Sequence, residues 1–247
     1  MISKHDYDDL RGELRSFGRR RGRTLTARQQ HLIDKVLPPN RLRIDQPAPE
    51  AASLALTLVP RAVEAWLEIG FGGGEHLLAQ AQAHPDRAII GCEPFIDGVV
   101  KVLAAIEEQS IKNIRLHDDD ARDVLRWLPR ASIDRAFVLF PDPWPKTRHR
   151  KRRLVSAPTL ALLARVMKPG AELRVATDIG DYARTILEAI SHQSAFHWTA
   201  TGPQDWRVQD GDWPVTRYQQ KAYREGRCSY FFRFVRVPDL VRGSNVY

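Results

Sequence analysis

The residues best suited to chemistry fall into three groups along the chain: a glycine cluster with flanking acids near position 70, isolated acids beyond it, and a proline-locked loop near 142 that runs into a block of cations. The first group reads Glu68-Ile-Gly70-Phe-Gly72-Gly73-Gly74-Glu75. Closely spaced glycines let a backbone turn sharply and approach a ligand where a Cβ would clash. Glu93 stands 25 residues beyond Glu68, a place from which an acid in a nucleotide-binding βαβ unit accepts hydrogen bonds from ribose hydroxyls. Asp118-Asp119-Asp120 could hold Mg²⁺, form a solvated turn, or supply one contact to an adenine edge. The spacing implies no fourth oxygen ligand, which ranks metal last and leaves Asp120, just before a helix, as the adenine candidate.

The third group is Phe140-Pro-Asp142-Pro-Trp144-Pro-Lys146. Alternating prolines lock φ and bias the residues between them, so Asp142 and Trp144 are held in fixed directions. An aromatic so held can stack on a nucleobase while a polar neighbour addresses its edge. Five of the six residues from Arg148 to Arg153 are Lys or Arg, namely Arg148, Arg150, Lys151, Arg152 and Arg153. Alone, such a run is a solvated face. Beside a stiff loop it reads as a phosphate track, which positions a nucleic acid without reading its sequence. Arg19, Arg20, Arg21 and Arg23 extend the same theme, in a stretch from Arg11 to Arg28 with seven arginines and one acid.

The elements that must position these groups alternate between strand and helix. Strands are expected at Val63–Ile69, Ala88–Glu93, Asn113–His117, Ile133–Phe140, Leu173–Thr177, Phe196–Ala200 and Tyr230–Val237. Helical periodicity or caps mark Glu75–Ala83, Ile96–Ile106, Ala121–Leu128, a segment from Ser156 closed by Lys168-Pro-Gly170, and Tyr182–Ser191. The expected fold is α/β, a Rossmann-like, mostly parallel seven-stranded sheet with helices on both faces. Ligands in such sheets bind beyond the carboxyl ends of the strands, which is where the acids fall. Residues 1–35 read as a basic, flexible RNA-binding segment and 36–247 as the catalytic domain.

The glycine loop also selects among cofactors. A dinucleotide fingerprint needs glycine three places after Gly72, and the chain has Glu75 there, a carboxylate facing where a pyrophosphate would lie. An acid-flanked GxGxG suits a cofactor that is positively charged and lacks phosphates. S-adenosylmethionine, with its sulfonium and ammonium, meets that description. A dehydrogenase is disfavoured on the same ground.

Net charge is +8, from 38 Lys and Arg against 30 Asp and Glu, which fits a polyanionic partner once the cations are seen to cluster. Two cysteines, Cys92 and Cys228, build no disulfide framework. The N-terminal residues carry charge where a signal peptide needs an apolar run, and no stretch reaches the ~20 apolar residues of a membrane span. The expected setting is the cytoplasm, with no metal and no obligatory protein partner.

Two segments make the chain recognisable: Glu-Ile-Gly-Phe-Gly-Gly-Gly-Glu-His-Leu over 68–77, and Phe-Pro-Asp-Pro-Trp-Pro-Lys with its basic tail over 140–153. With Arg19–Arg23, Thr26 and Gln29, they resemble the bacterial tRNA (guanine-N7-)-methyltransferase family from about Ser16 to Arg236. The resemblance implies that Glu68, Gly70, Gly72, Gly74, Glu93, Asp120 and Asp142 bind S-adenosylmethionine, Asp142 also being catalytic. It implies that Lys146, Asp178, Thr216, Arg217, Tyr218 and Gln219 bind substrate, with Asp178 reading the Watson–Crick edge. It places RNA contacts on Arg148–Arg153 and the target in the variable loop of tRNA. The family ends its C-terminal motif in an acid where this chain has Gln219, which leaves an inactive, RNA-binding methyltransferase-like protein as one alternative. A methyltransferase for exocyclic amines of DNA, suggested by the Asp-Pro-Trp loop, is another.

Overall fold

The computed structural model describes residues 20, 22 and 24–238. Its first helical run begins at a capping box: the Thr26 hydroxyl accepts from the Gln29 amide at 3.3 Å and the Gln29 side chain accepts from the Thr26 amide at 2.9 Å. These are two of the residues that carried the family signature, and here they start α1 (Ala27–His31). A π turn over Leu32–Val36 and α2 (Leu37–Asn40) continue the run. Leu32 and Leu37 are 2% and 1% exposed. The boundary expected near residue 35 therefore falls inside a packed helical run.

The remaining elements are α3 (Leu54–Leu58), β1 (Glu64–Ile69), α4 (Glu75–Ala83), β2 (Arg87–Cys92), α5 (Ile96–Gln109), β3 (Ile114–His117), α6 (Ala121–Trp127), β4 (Ile133–Leu139), α7 (Ala157–Val166), β5 (Met167–Thr177), α8 (Gly180–Ser191), β6 (Phe196–Trp198), α9 (Gln204–Arg207), α10 (Arg217–Arg224) and β7 (Tyr230–Arg236). The sheet runs β3-β2-β1-β4-β5-β7-β6. Every described pairing in it is parallel except those of β7, which is antiparallel to both β5 and β6.

Alternate residues of the central strands feed two apolar layers, as period-2 geometry requires. Leu67, Ile69, Ile90 and Val138 pack on one face with α6, α7 and α8. Trp66, Ile89, Phe137 and Leu139 pack on the other with α4, α5 and the Leu32–Leu37 run. Each such fully buried side chain contributes about 1.5–3 kcal/mol. Burial on both faces explains the near-continuous apolar strands.

Lys168-Pro-Gly170, expected as a helix stop, does follow the end of α7 at Val166. The tripeptide itself lies within β5, where Ile133 pairs with Met167 but Arg135 pairs with Glu172. Gly170 takes φ +84° in this bulge, so glycine and proline mark an irregular strand entry as well as a helix end.

Candidate active site

Strand register decides which loops meet. Ile69 pairs with Cys92 and Val138, Cys92 pairs with His117, and Leu139 pairs with Ala176. The carboxyl ends of β1, β2, β3, β4 and β5 thus align, and the loops after them share one rim. A cavity of about 260 Å³ opens there, walled by Gly70, Gly72, Glu93, Asp119, Asp120, Asp142, Trp144, Arg152 and Tyr218, with Ile69, Phe95, Ala121, Phe140 and Leu154 as its apolar surface.

Gly70, Gly72 and Gly74 have φ of +75°, +55° and +82°, a region costly to residues with a Cβ. A Cβ on Gly72 would stand 2.9 Å from the Tyr218 ring. The turn aims the Gly72 amide at Glu93, donating to Oε2 at 2.8 Å, while the Phe95 amide donates to Oε1 at 2.9 Å. Burial pushes the Glu93 carboxyl above its usual range, and the Phe95 and Gly72 amides partly offset this. Gly74 lies outside the wall. It begins α4 and is packed against Val102.

Glu68 is 2% exposed and lies behind the cavity lining, its Oε2 2.8 Å from Nδ1 of His76 on α4 and its charge close enough to raise Glu93. Asp120 lines the cavity but caps α6, accepting from the Arg122 amide and the Arg122 guanidinium, each at 2.9 Å. Its neighbour Asp119, not singled out from sequence, lines the same wall and pairs with Arg20.

Asp142 sits at the mouth between two residues in the left-handed region, Phe140 at φ +50° and Trp144 at φ +42°. Non-glycine residues held there store of order 1–3 kcal/mol each and cluster at functional sites. Asp142 is exposed, yet the surrounding walls exclude enough water to push its carboxyl above the ordinary aspartate range. Arg152 lies 5.0 Å over the Trp144 ring, and His149 meets its edge at 5.8 Å.

The basic run divides by burial. Lys146, Arg148, Arg150 and Lys151 are exposed on a 3₁₀ turn over Thr147–Arg152, and Arg152 is half-buried. Arg153 corrects the expectation of an RNA contact, because at 1% exposure no phosphate can reach it. Arg19, Arg21 and Arg23 lie outside the described residues.

The expected substrate group also divides. Arg217 reaches Glu75 across the glycine loop, and Tyr218 lines the cavity, so the first turn of α10 lies over Gly72 and Gly73. Thr216 is the cap of α10, accepting from the Gln219 amide at 3.3 Å. Gln219 is 2% exposed and donates to Gln209 and, at 2.8 Å, to the Tyr223 hydroxyl. It does not face the cavity, so the amide in place of an acid removes no charge from the wall. Asp178 is occupied by Arg227, whose Nε and Nη2 stand 2.8 and 2.7 Å from Oδ2. That partner had no sequence signal, being 49 residues away with α8, β6, α9 and α10 between.

The residues fit a cationic cofactor. Carboxylates at 93 and 142 supply negative charge, the missing Cβ of Gly70 leaves open space, and the apolar surface can take a planar ring. Strand order, the reversed β7 and this acid-lined, glycine-turned cavity define a Rossmann-like class I S-adenosylmethionine-dependent methyltransferase. The fold is shared with solved methyltransferases such as the antibiotic-resistance enzyme Kmr, at TM-score 0.51 and 18% identity over 77% of this chain and 94% of that one. A family model described as "Putative methyltransferase" matches residues 63–232. Proteins named tRNA (guanine-N(7)-)-methyltransferase are 48% identical in Ruegeria sp. (strain TM1040), covering 89% of this chain and 87% of theirs, and 48% identical in Caulobacter sp. (strain K31), covering 92% and 96%. The chain belongs to the tRNA (guanine-N(7)-)-methyltransferase family.

Proposed function

We propose that this protein transfers the methyl group of S-adenosylmethionine to N7 of a guanine in tRNA, within the variable loop. The observation that carries the reading is Asp142, fixed at the cavity mouth beside an exposed cationic run on the same rim. The relatives' names supply the substrate.

The cofactor, when bound, supplies an electrophilic methyl on a cationic sulfur, so transfer moves positive charge onto the purine. Guanine N7 carries an in-plane lone pair and needs no deprotonation. The protein's task is therefore alignment and charge stabilisation. Alignment can be worth about 7–11 kcal/mol in ideal cases. Asp142 stabilises the cationic purine as it forms, because a fixed carboxylate in a partly desolvated mouth acts more strongly than one in water. Glu93 holds the Gly72 turn open and offers its carboxylate to the ribose. Tyr218 and Trp144 enclose the planar groups. Lys146, Arg148, Arg150 and Lys151 hold phosphates. N7 lies in the deep major groove of A-form RNA, out of reach of side chains, so the target must be unstacked from a loop.

Among the described residues no helix is long and apolar enough to cross a membrane. The cytoplasm is part of the proposal, because tRNA is its substrate. The test uses the purified protein with no added partner. Incubation with labelled S-adenosylmethionine and unmodified tRNA, followed by digestion to nucleosides, should yield labelled 7-methylguanosine. Label in any other nucleoside would overturn the assignment.

A further inference from the structure

Arg153 is among the largest fully buried side chains of the protein. Its Nε donates to the carbonyl of Pro143, the residue after Asp142, at 2.9 Å. Its Nη1 donates to the Thr185 hydroxyl at 2.6 Å, and its Nη2 to Asp181 Oδ2 at 2.6 Å, both on α8. The guanidinium also lies 4.8 Å over the Tyr182 ring. The Tyr182 hydroxyl accepts from the Val155 amide at 3.1 Å, and burial pushes its pKa up to about 12, so it stays protonated. One buried fork thus joins the loop after β4 to the helix that follows the loop after β5. Those two loops carry Asp142 and Asp178.

A buried guanidinium is costly unless its donors are satisfied. Here the directions of the bonds are specific: one to a loop carbonyl and three to a helix, the third a long contact of Nη1 with the Asp181 carbonyl at 3.5 Å. We propose that Arg153 is a positioning residue that sets the place of Asp142 relative to the β5 loop, and that it holds Phe140 and Trp144 in their left-handed conformations. Asp181 completes the arrangement. Its Oδ1 serves the exposed Arg150 and Arg184 while Oδ2 serves Arg153, which keeps the cation that can meet RNA apart from the cation that holds the loop. The proposal rests on methyl transfer at Asp142, and activity of the parent protein tests that reading separately.

The test compares Arg153→Lys, Arg153→Met and Lys151→Met in the full chain. Lysine can keep one partner but not three diverging ones. A misplacement of about 1 Å can cost 100-fold in rate, so both Arg153 variants should lose kcat by about 10- to 100-fold. Their KM for tRNA, Kd for S-adenosylmethionine and salt dependence of tRNA binding should stay at the parent's values. Lys151→Met, which removes a phosphate contact, should instead lower the salt slope by about one and raise KM for tRNA. A kcat within twofold of the parent in Arg153→Lys overturns the positioning role, as does a salt slope lowered like that of Lys151→Met. Should both Arg153 variants fail to fold, Thr185→Val removes one acceptor at constant volume. It should give a smaller kcat loss with the same unchanged KM, and full kcat there overturns the proposal.

Discussion

Gly98 lies buried in the first turn of α5 and belongs to none of the sequence motifs that suggested chemistry. A Cβ built on it would stand 2.1 Å from the Gly72 carbonyl oxygen and 3.2 Å from Cγ of Glu93, where ordinary contact begins at 3.4 Å. Backbone must therefore move by over an ångström in Gly98→Ala. The helix cannot yield easily, because Val99, Val102, Leu103 and Ile106 anchor it in the core. The glycine loop yields instead and pulls its amide from Glu93, a bond of 2.8 Å. Overpacking of this kind costs about 1–3 kcal/mol, and a lost hydrogen bond to a charged group about 1.5–3 kcal/mol. Each 1.4 kcal/mol or so that falls on the bound state is tenfold in affinity, so S-adenosylmethionine should bind about 10- to 100-fold more weakly. Calorimetric titration beside a thermal melt measures both shares of the strain. Gly211→Ala is the control, since a Cβ there meets nothing within 4 Å. An affinity within twofold of the parent at unchanged Tm would refute the reasoning.

Asp142→Asn should abolish turnover and weaken S-adenosylmethionine binding while leaving tRNA binding largely intact; full activity would remove Asp142 from the mechanism. Its raised pKa means the fold favours the protonated form, so stability present at low pH is lost as pH rises through the folded value. The same substitution should therefore raise Tm at neutral pH, and the acid limb of the parent's kcat profile should lie above the ordinary value near 4. Gln219→Glu, although it restores the family's acid, should destabilise the protein. It sets a buried carboxylate against the Gln209 oxygen, at a cost of about 1–3 kcal/mol, and each kcal/mol lowers Tm by about 2–4 °C at this size; an unchanged melt would contradict the packing described.

The architecture was legible because both periodicities are strong: the strands between Val63 and Thr177 are apolar on both faces, and α5 repeats its apolar residues at helical spacing. The N-terminal helical run was hidden by seven arginines that outweigh Leu32 and Leu37 in composition, although Thr26 and Gln29 spelled a capping box. At the site, residue type and strand-end position located the cavity through Gly72, Glu93 and Asp142. They could not sort the cations of the basic run by burial, since Lys151 and Arg153 look alike until α8 supplies Asp181 and Thr185 from about thirty residues away. Nor could they show that Asp178 and Gln219 already have partners, because Arg227 and Gln209 are brought to them only by the folded chain.

The reversed strand β7 also governs the order in which the sheet can be completed. It follows β5 and β6 in sequence but lies between them. A chain emerging from the ribosome presents the edge of β5 over Glu172–Thr177 until Tyr230–Arg236 arrives about fifty residues later. At ~5–20 residues per second that edge stays open for several seconds. Glu172 and Arg174 interrupt its apolar row, and charges on an open edge discourage pairing with other chains. The ion pairs that Arg174 makes with Glu172 and Asp212 in the finished protein thus involve residues that also guard the unfinished one.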